Sequence, residues 1–305
     1  MALCGIGLWY ARSKGIPTWA ALPALAAFLV EYPFYLVPAF RDLREQFTGG
    51  CLVWLMLASV LAPYLAAATG ALWFTWVGLV KLTALALAMG LWFRVLPSRP
   101  VVDVGFLALV AAAKLGRFMD PIYLTRYQGL QIGVLGDVGL YLMAVLALML
   151  GRRIPETGYG FWPSVRDWKI GAIHFLYYAP LACAVGLSLK AVRFTRPGDP
   201  LKLALTFFGV LFVLTLMEEF LFRGVLQRWI EEWTGSGQVA LAVTSVLFGA
   251  AHLWYHGFPN WRWLIIAGLL GWFCGRARNQ AGSIRASMVT HTLVIVAWRA
   301  FFVVV

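Results

Sequence analysis

Long apolar runs alternate with short polar connections along the whole chain. Apolar stretches fall near 17–40, 50–69, 71–93, 101–116, 129–150, 170–189, 203–222, 239–256, 263–275 and 286–305. A helix needs about 20 mainly apolar residues to cross a hydrocarbon core of about 30 Å. Lipid offers no partner for a free backbone N–H or C=O, so helices are the natural form of such runs. The pattern predicts an all-α fold, a polytopic membrane helix bundle with about eight to ten transmembrane helices. Two runs are weaker: 101–116 contains Asp103 and Lys114, and 263–275 stops at Arg276 and Arg278. They predict short spans buried within the bundle, or re-entrant segments. The first run follows Arg12 and Lys14, as a signal sequence would, but the many runs after it make it an uncleaved first helix.

Composition moves the same way. Of 305 residues 62% are hydrophobic, 15% aromatic and 12% charged, with a mean hydropathy of +0.79. A soluble domain carries about 25% charged residues. A soluble enzyme, a disordered chain and a fibrous repeat are therefore excluded, and the expected solvent is a lipid bilayer. The net charge of +12 comes from 25 Lys and Arg scattered singly or in small groups between the runs. That distribution suits loops facing anionic head groups, not a clustered nucleic-acid surface, so no nucleic-acid partner is expected. The uncharged turn Thr69-Gly70 between two runs predicts a non-cytoplasmic connection. The 19 Arg against 6 Lys fit a GC-rich bacterial genome, hence an integral protein of a bacterial cytoplasmic membrane. Cys4, Cys51, Cys183 and Cys274 show no metal-ligand spacing and read as buried, inert thiols.

The segment 151–169 contains Gly158, Tyr159, Gly160, Phe161, Trp162 and Pro163 and reads as an interfacial linker. It divides the chain into N-terminal transmembrane helices, 1–150, serving packing or substrate access, and a C-terminal helical bundle, 170–305. The second part holds all four histidines, His174, His252, His256 and His291, so chemistry is expected there.

The densest polar feature is Glu218-Glu219-Phe220-Leu221-Phe222-Arg223 at the end of an apolar run. An ionisable residue at mid-membrane costs about 2.5–3.5 kcal/mol even on permissive scales, so such residues need a partner or a function. On a helix Glu219 and Arg223 are an i,i+4 pair, whereas Glu218 is rotated from Arg223 by about 140°. Arg223 is expected to neutralise and orient Glu219, leaving Glu218 to face the bundle interior as a general base. The alternative is one interfacial ion-pair network of Glu218, Glu219, Arg223, Arg228, Glu231 and Glu232. In the next run Phe248, His252 and His256 succeed one another at i+4, which allows both imidazoles one helix face, with Gly249, Ala250 and Ala251 permitting close approach of a neighbour. Two histidines at i,i+4 also suit a metal, although no HExxH is present. His291, one turn after Ser287, stands early in the last run. Three helices bearing Glu, His and His are what a bundle needs to build a site.

These residues resemble the CAAX-protease and bacteriocin-processing family of intramembrane endopeptidases, which includes the type II CAAX prenyl protease. Its motifs are EExxxR, FxxxH and HxxxN or HxxxD on successive membrane helices. Glu218-Glu219 through Arg223 matches the first and Phe248 through His252 the second. His291 matches the start of the third, but four residues on stands Ile295, where the family has Asn or Asp. The resemblance covers roughly 170–305. It implies an intramembrane endopeptidase acting on a membrane-associated or lipid-modified peptide or protein. Glu218 and His252 would activate water, His291 would help stabilise the oxyanion, and Glu219 and Arg223 would hold their helix. The implied cofactor is none or one divalent metal such as zinc, whose ligands on paper are Glu218, His252 and His291, with His256 a lesser choice. If the missing amide binds the oxyanion, Thr292, Ser287 or Asn260 would have to replace it. Loss of one such donor costs about 2.7–4 kcal/mol, so a slow enzyme, or an inactive relative acting as a scaffold or immunity protein, is the competing expectation. A proton-coupled transporter is a third class, but no paired broken helices recur in corresponding halves.

Overall fold

The computed structural model describes residues 8, 11–12, 15–47, 50–128, 130, 132–155 and 157–305. Cys4 and Lys14, used above, lie outside the described residues. The chain divides into two compact units, residues 1–155 and 156–305.

In the first unit α1 (Thr18–Glu31) tightens into a 3₁₀ segment (Tyr32–Ala39) that contains Pro33 and Pro38. Proline lacks the N–H that an α-helical register requires, so the change of register falls where the sequence demands it. Next come α2 (Arg41–Gln46), α3 (Gly50–Ala68), α4 (Trp76–Val95), α5 (Pro100–Leu115) and α6 (Gly133–Leu146, continued by a π turn, Ala147–Gly151). The Thr75 side chain caps α4 by accepting from the Gly78 amide. The centre of this unit is α6, buried almost continuously from Leu140 to Leu150. Asp103, in the first turn of α5, is not a free charge in the apolar run: Arg152 binds both its oxygens, at 2.8 and 3.0 Å. Such a two-pronged pair gives a buried carboxylate the partner it needs.

The second unit begins with α7 (Val165–Ser188), opened by a capping box in which Ser164 and Asp167 exchange side-chain to backbone bonds. A short strand β1 (Val192–Phe194) follows, then the long helix α8 (Pro200–Thr234), α9 (Gly237–Ala250), α10 (Trp261–Ala281), α11 (Ile284–Phe301) and β2 (Phe302–Val304), which pairs antiparallel with β1. Helices α9 and α10 cross at glycines. A Cβ on Gly249 would stand 2.4 Å from the Leu264 carbonyl oxygen and 3.1 Å from the Gly268 backbone. Only the missing side chains allow that approach. Gly171 plays the same part for α7 against Val289 and Ala286 of α11.

The expected membrane helix bundle is present, with different boundaries. Among the described residues six helices are long and apolar enough to cross a membrane: Thr18–Ala39, Gly50–Ala68, Trp76–Val95, Gly133–Gly151, Val165–Ser188 and Pro200–Thr234. The weak run 101–116 is the 16-residue α5, too short to count among them. The weak run 263–275 is a 21-residue helix that continues through Arg276 and Arg278. Arg and Lys do not end a helix, so hydropathy placed its boundary too early. The last apolar run ends as β2, not helix. The thiols also differ from expectation: Cys274 is buried, Cys183 half-buried and Cys51 exposed.

Candidate active site

Helix α8 carries the acids on an irregular stretch. Its α-helical turn Thr215–Glu219 is enclosed by two π segments, Val210–Leu214 and Phe220–Leu226. A π turn closes i→i+5 bonds and frequently occurs at functional sites. Thr215 secures the first: its hydroxyl meets the carbonyls of Val210 and Leu211 at 3.1 and 3.2 Å and the Thr292 hydroxyl of α11 at 3.0 Å.

Glu219 and Arg223 form a wholly buried pair, Nη1 to Oε1 3.1 Å, and the other Arg223 terminal nitrogen donates to the Gly271 carbonyl of α10 at 3.2 Å. The same Glu219 oxygen receives Nδ1 of His291 at 2.7 Å. With Arg223 on that carboxylate it acts as acceptor, so Nδ1 of His291 carries the proton. The other ring nitrogen, Nε2, faces Glu218 Oε2 at 3.8 Å. Glu218, whose side chain is 19% exposed, is therefore the accessible acid and Glu219 the enclosed one.

Phe248 of α9 joins these groups through its ring. The Arg223 guanidinium lies 4.3 Å from its centroid, the His252 ring 4.8 Å and the His291 ring 5.6 Å. A cation over an aromatic face is favoured when desolvated, which gives Arg223 a second support. His252 lies just beyond the end of α9 and bonds through Nδ1 to the Phe248 carbonyl at 2.8 Å. A carbonyl only accepts, so His252 also holds its proton on Nδ1, and its Nε2 has no hydrogen-bond partner among the described residues.

The structure thus brings Glu218, Glu219, Arg223 and His291 together, with His252 beside Phe248. His256 does not join them. Helix α9 ends at Ala250, and His256 is exposed in the following turn with φ at +56°, so the i+4 spacing from His252 no longer describes one helix face. The charges of α8 are shared among several partners. Arg228 pairs with Glu232 at 2.7 Å and Arg278 of α10 with Glu231 at 3.4 Å, whereas Glu219 serves Arg223 and His291. The three candidate replacements for the amide missing at Ile295 are committed elsewhere. Ser287 donates to the Cys274 carbonyl at 2.8 Å, Thr292 meets Thr215, and Asn260 caps α10 while donating to the Tyr255 carbonyl at 2.9 Å. Thr215 is a participant that spacing did not mark, whereas Phe248 was marked by its interval from His252 and contributes its ring.

Two donor sets for a divalent metal can be weighed. Ligand atoms of Glu219, Cys274 and His291 all lie within 4.8 Å of one another. That set fits poorly, because the Glu219 oxygen already binds a guanidinium and a second cation beside Arg223 would be repelled. The set Glu218, His252 and His291 is not gathered within that distance among the described residues, so as it stands it does not fit an ion either. Each imidazole has Nδ1 fixed by a carboxylate or a backbone carbonyl, the arrangement that orients Nε2 as a metal ligand.

Residues 200–296 match the family model of the type II CAAX prenyl endopeptidase Rce1-like proteins. No curated protein and no solved structure matches the chain.

Proposed function

From the match of residues 200–296 to the type II CAAX prenyl endopeptidase Rce1-like family model, we propose that the chain is an intramembrane endopeptidase whose water is activated between Glu218 and His291. The supporting observation is the 3.8 Å gap between Glu218 Oε2 and His291 Nε2. The two atoms are too far apart to bond directly, yet one water with hydrogen bonds of about 2.8 Å spans both. Both atoms accept, so the water gives each a hydrogen and turns a lone pair toward the scissile carbonyl. Glu218 takes the proton as attack proceeds, the step for which a positioned general base contributes about 10²–10⁴-fold. Glu219 keeps His291 in the Nδ1–H tautomer, and Arg223 keeps Glu219 ionised and aimed. His252, fixed on the Phe248 carbonyl, offers Nε2 to carry a proton toward the leaving amine. Glu218, His252 and His291 would have to close together to hold a zinc ion, which would there make the water more acidic and polarise the carbonyl. The adjacent-glutamate arrangement performs the same task without one.

The substrate is a peptide bond in a membrane-associated or lipid-modified peptide or protein, and the setting is a bacterial cytoplasmic membrane, in keeping with the Arg-rich composition. The N-terminal unit serves packing or substrate access. The test is cleavage of a membrane-anchored peptide by the protein reconstituted in liposomes, with and without chelator. Glu218→Ala should abolish cleavage while the fold persists; unchanged turnover would overturn the assignment. Loss of wild-type activity on chelation, with recovery on zinc, assigns the metal form.

A second reading is favoured by Ile295 together with the commitment of Ser287, Thr292 and Asn260: a catalytically silent family member serving as a membrane scaffold or immunity protein. In that case the purified protein cleaves nothing, and Glu218→Ala preserves its cellular role.

A further inference from the structure

The N-terminal unit buries one acid that the chemistry above does not use. Glu31, the last residue of α1, is 1% exposed, and neither carboxylate oxygen has a hydrogen-bond partner. Its burial is tolerated because α6 has no side chain opposite it: a Cβ on Gly139 would lie 2.9 Å from Glu31 Oε1 and 3.4 Å from Val60. The groups around this pocket are neutral. Tyr35, one turn on, donates to the Val138 carbonyl at 2.5 Å, and the Tyr123 ring meets Tyr64 edge-on with centroids 5.7 Å apart. The charged side chains nearby on α5 and α6 have partners: Lys114 of α5 pairs with Asp137 of α6, and Asp103 of α5 is held by Arg152, just past α6. No described cation answers Glu31.

An ionised carboxylate without a partner is among the costliest groups to bury. Inside a bilayer, an acid of this kind marks an ion or proton site by default. The side chain is enclosed, and no described side chain supplies the opposite charge, so the partner that fits is a small ion. We propose that Glu31, with Gly139 leaving the space, is a binding site for a small monovalent cation, a proton or an alkali-metal ion, in the N-terminal unit. The site shares no residue with the proposed proteolytic centre, and the proposal does not rest on that reading.

The test compares the full-length protein with Glu31→Gln, an isosteric neutral variant, in nanodiscs. Thermal midpoints are measured across pH, and across sodium chloride and potassium chloride against choline chloride. A ligand that binds only the folded state raises the midpoint with its concentration. If the proton is the ligand, the wild-type midpoint falls relative to Glu31→Gln by a few degrees per tenfold loss of protons, whatever the salt. If an alkali ion is the ligand, the wild type alone gains with sodium or potassium and not with choline. Infrared spectra report independently: a protonated carboxyl carbonyl band that disappears in Glu31→Gln supports the proton, and its absence with a salt response supports the metal ion. Midpoints that run parallel in every condition, with no such band, overturn the proposal. Should Glu31→Gln fail to fold, Gly139→Ala, which crowds the same oxygen, takes its place and must weaken the same dependence.

Discussion

His291 and Glu219 are joined by a 2.7 Å hydrogen bond between two side chains that water hardly reaches. The bond sets which ring nitrogen of His291 carries the proton, and so decides that Nε2 turns toward Glu218 as an acceptor. An amide in place of the carboxylate offers its own N–H and favours the other tautomer. Glu219→Gln is expected to lower kcat by about 10²–10⁴-fold with KM little changed, as loss of the orienting acid does in a serine protease triad. Steady-state cleavage of a membrane-anchored peptide checks this, and an unchanged kcat counts against the role.

Glu218 and His291 should fail as a unit. Groups that act on one water are non-additive, so Glu218→Gln combined with His291→Ala should lose hardly more than the worse single variant. Independent losses that multiply would mean the two do not share a water.

Removal of Arg223 strands a buried carboxylate. Arg223→Met is expected to destabilise the protein by about 3–5 kcal/mol, the range for breaking a buried pair from one side. Adding Glu219→Gln should recover part of that stability without recovering activity. Denaturation in detergent measures the first effect and turnover the second.

The family amide missing at Ile295 can be put back. Ile295→Asn on α11 should raise kcat, up to the 10²–10³-fold that one oxyanion donor contributes, with KM unchanged. If kcat does not respond, an oxyanion donor already exists elsewhere in the site.

The crossing of α9 and α10 should tolerate no side chain. Gly249→Ala places a methyl 2.4 Å from the Leu264 oxygen and should cost about 1–3 kcal/mol, read as a lowered thermal midpoint.

The legible parts of this molecule were those carried by local spacing. The i,i+4 relation of Glu219 and Arg223, and of Phe248 and His252, survives in the structure because each pair lies within one turn or so of helix. His256 shows the limit: the same spacing, extended past Ala250, counted residues through a turn as if the helix continued. Hydropathy placed the helices but misjudged α10, since arginines at a helix end are unfavourable to lipid and harmless to the helix. The Asp103–Arg152 pair, 49 residues apart, and the Thr215–Thr292 contact, 77 apart, depend on tertiary approach and leave no local pattern. The approach of α9 to α10 was legible at Gly249 on one side, while the need for Gly268 on the other was not.

The two π segments of α8 have a consequence for how the site tolerates change. Each acts as one residue inserted into an otherwise regular helix, absorbed by a wider turn. Deleting a residue from 210–214, or one other than Arg223 from 220–226, would restore the commoner register and leave the acids and Arg223 in the chain. It would also turn one end of α8 about 100° against the other. Glu218 and Glu219, lying between the segments, would lose their phase toward α11 on one side or toward α10 on the other. The acids are thus aimed by backbone register as much as by packing, and α8 is a helix in which length itself is part of the chemistry.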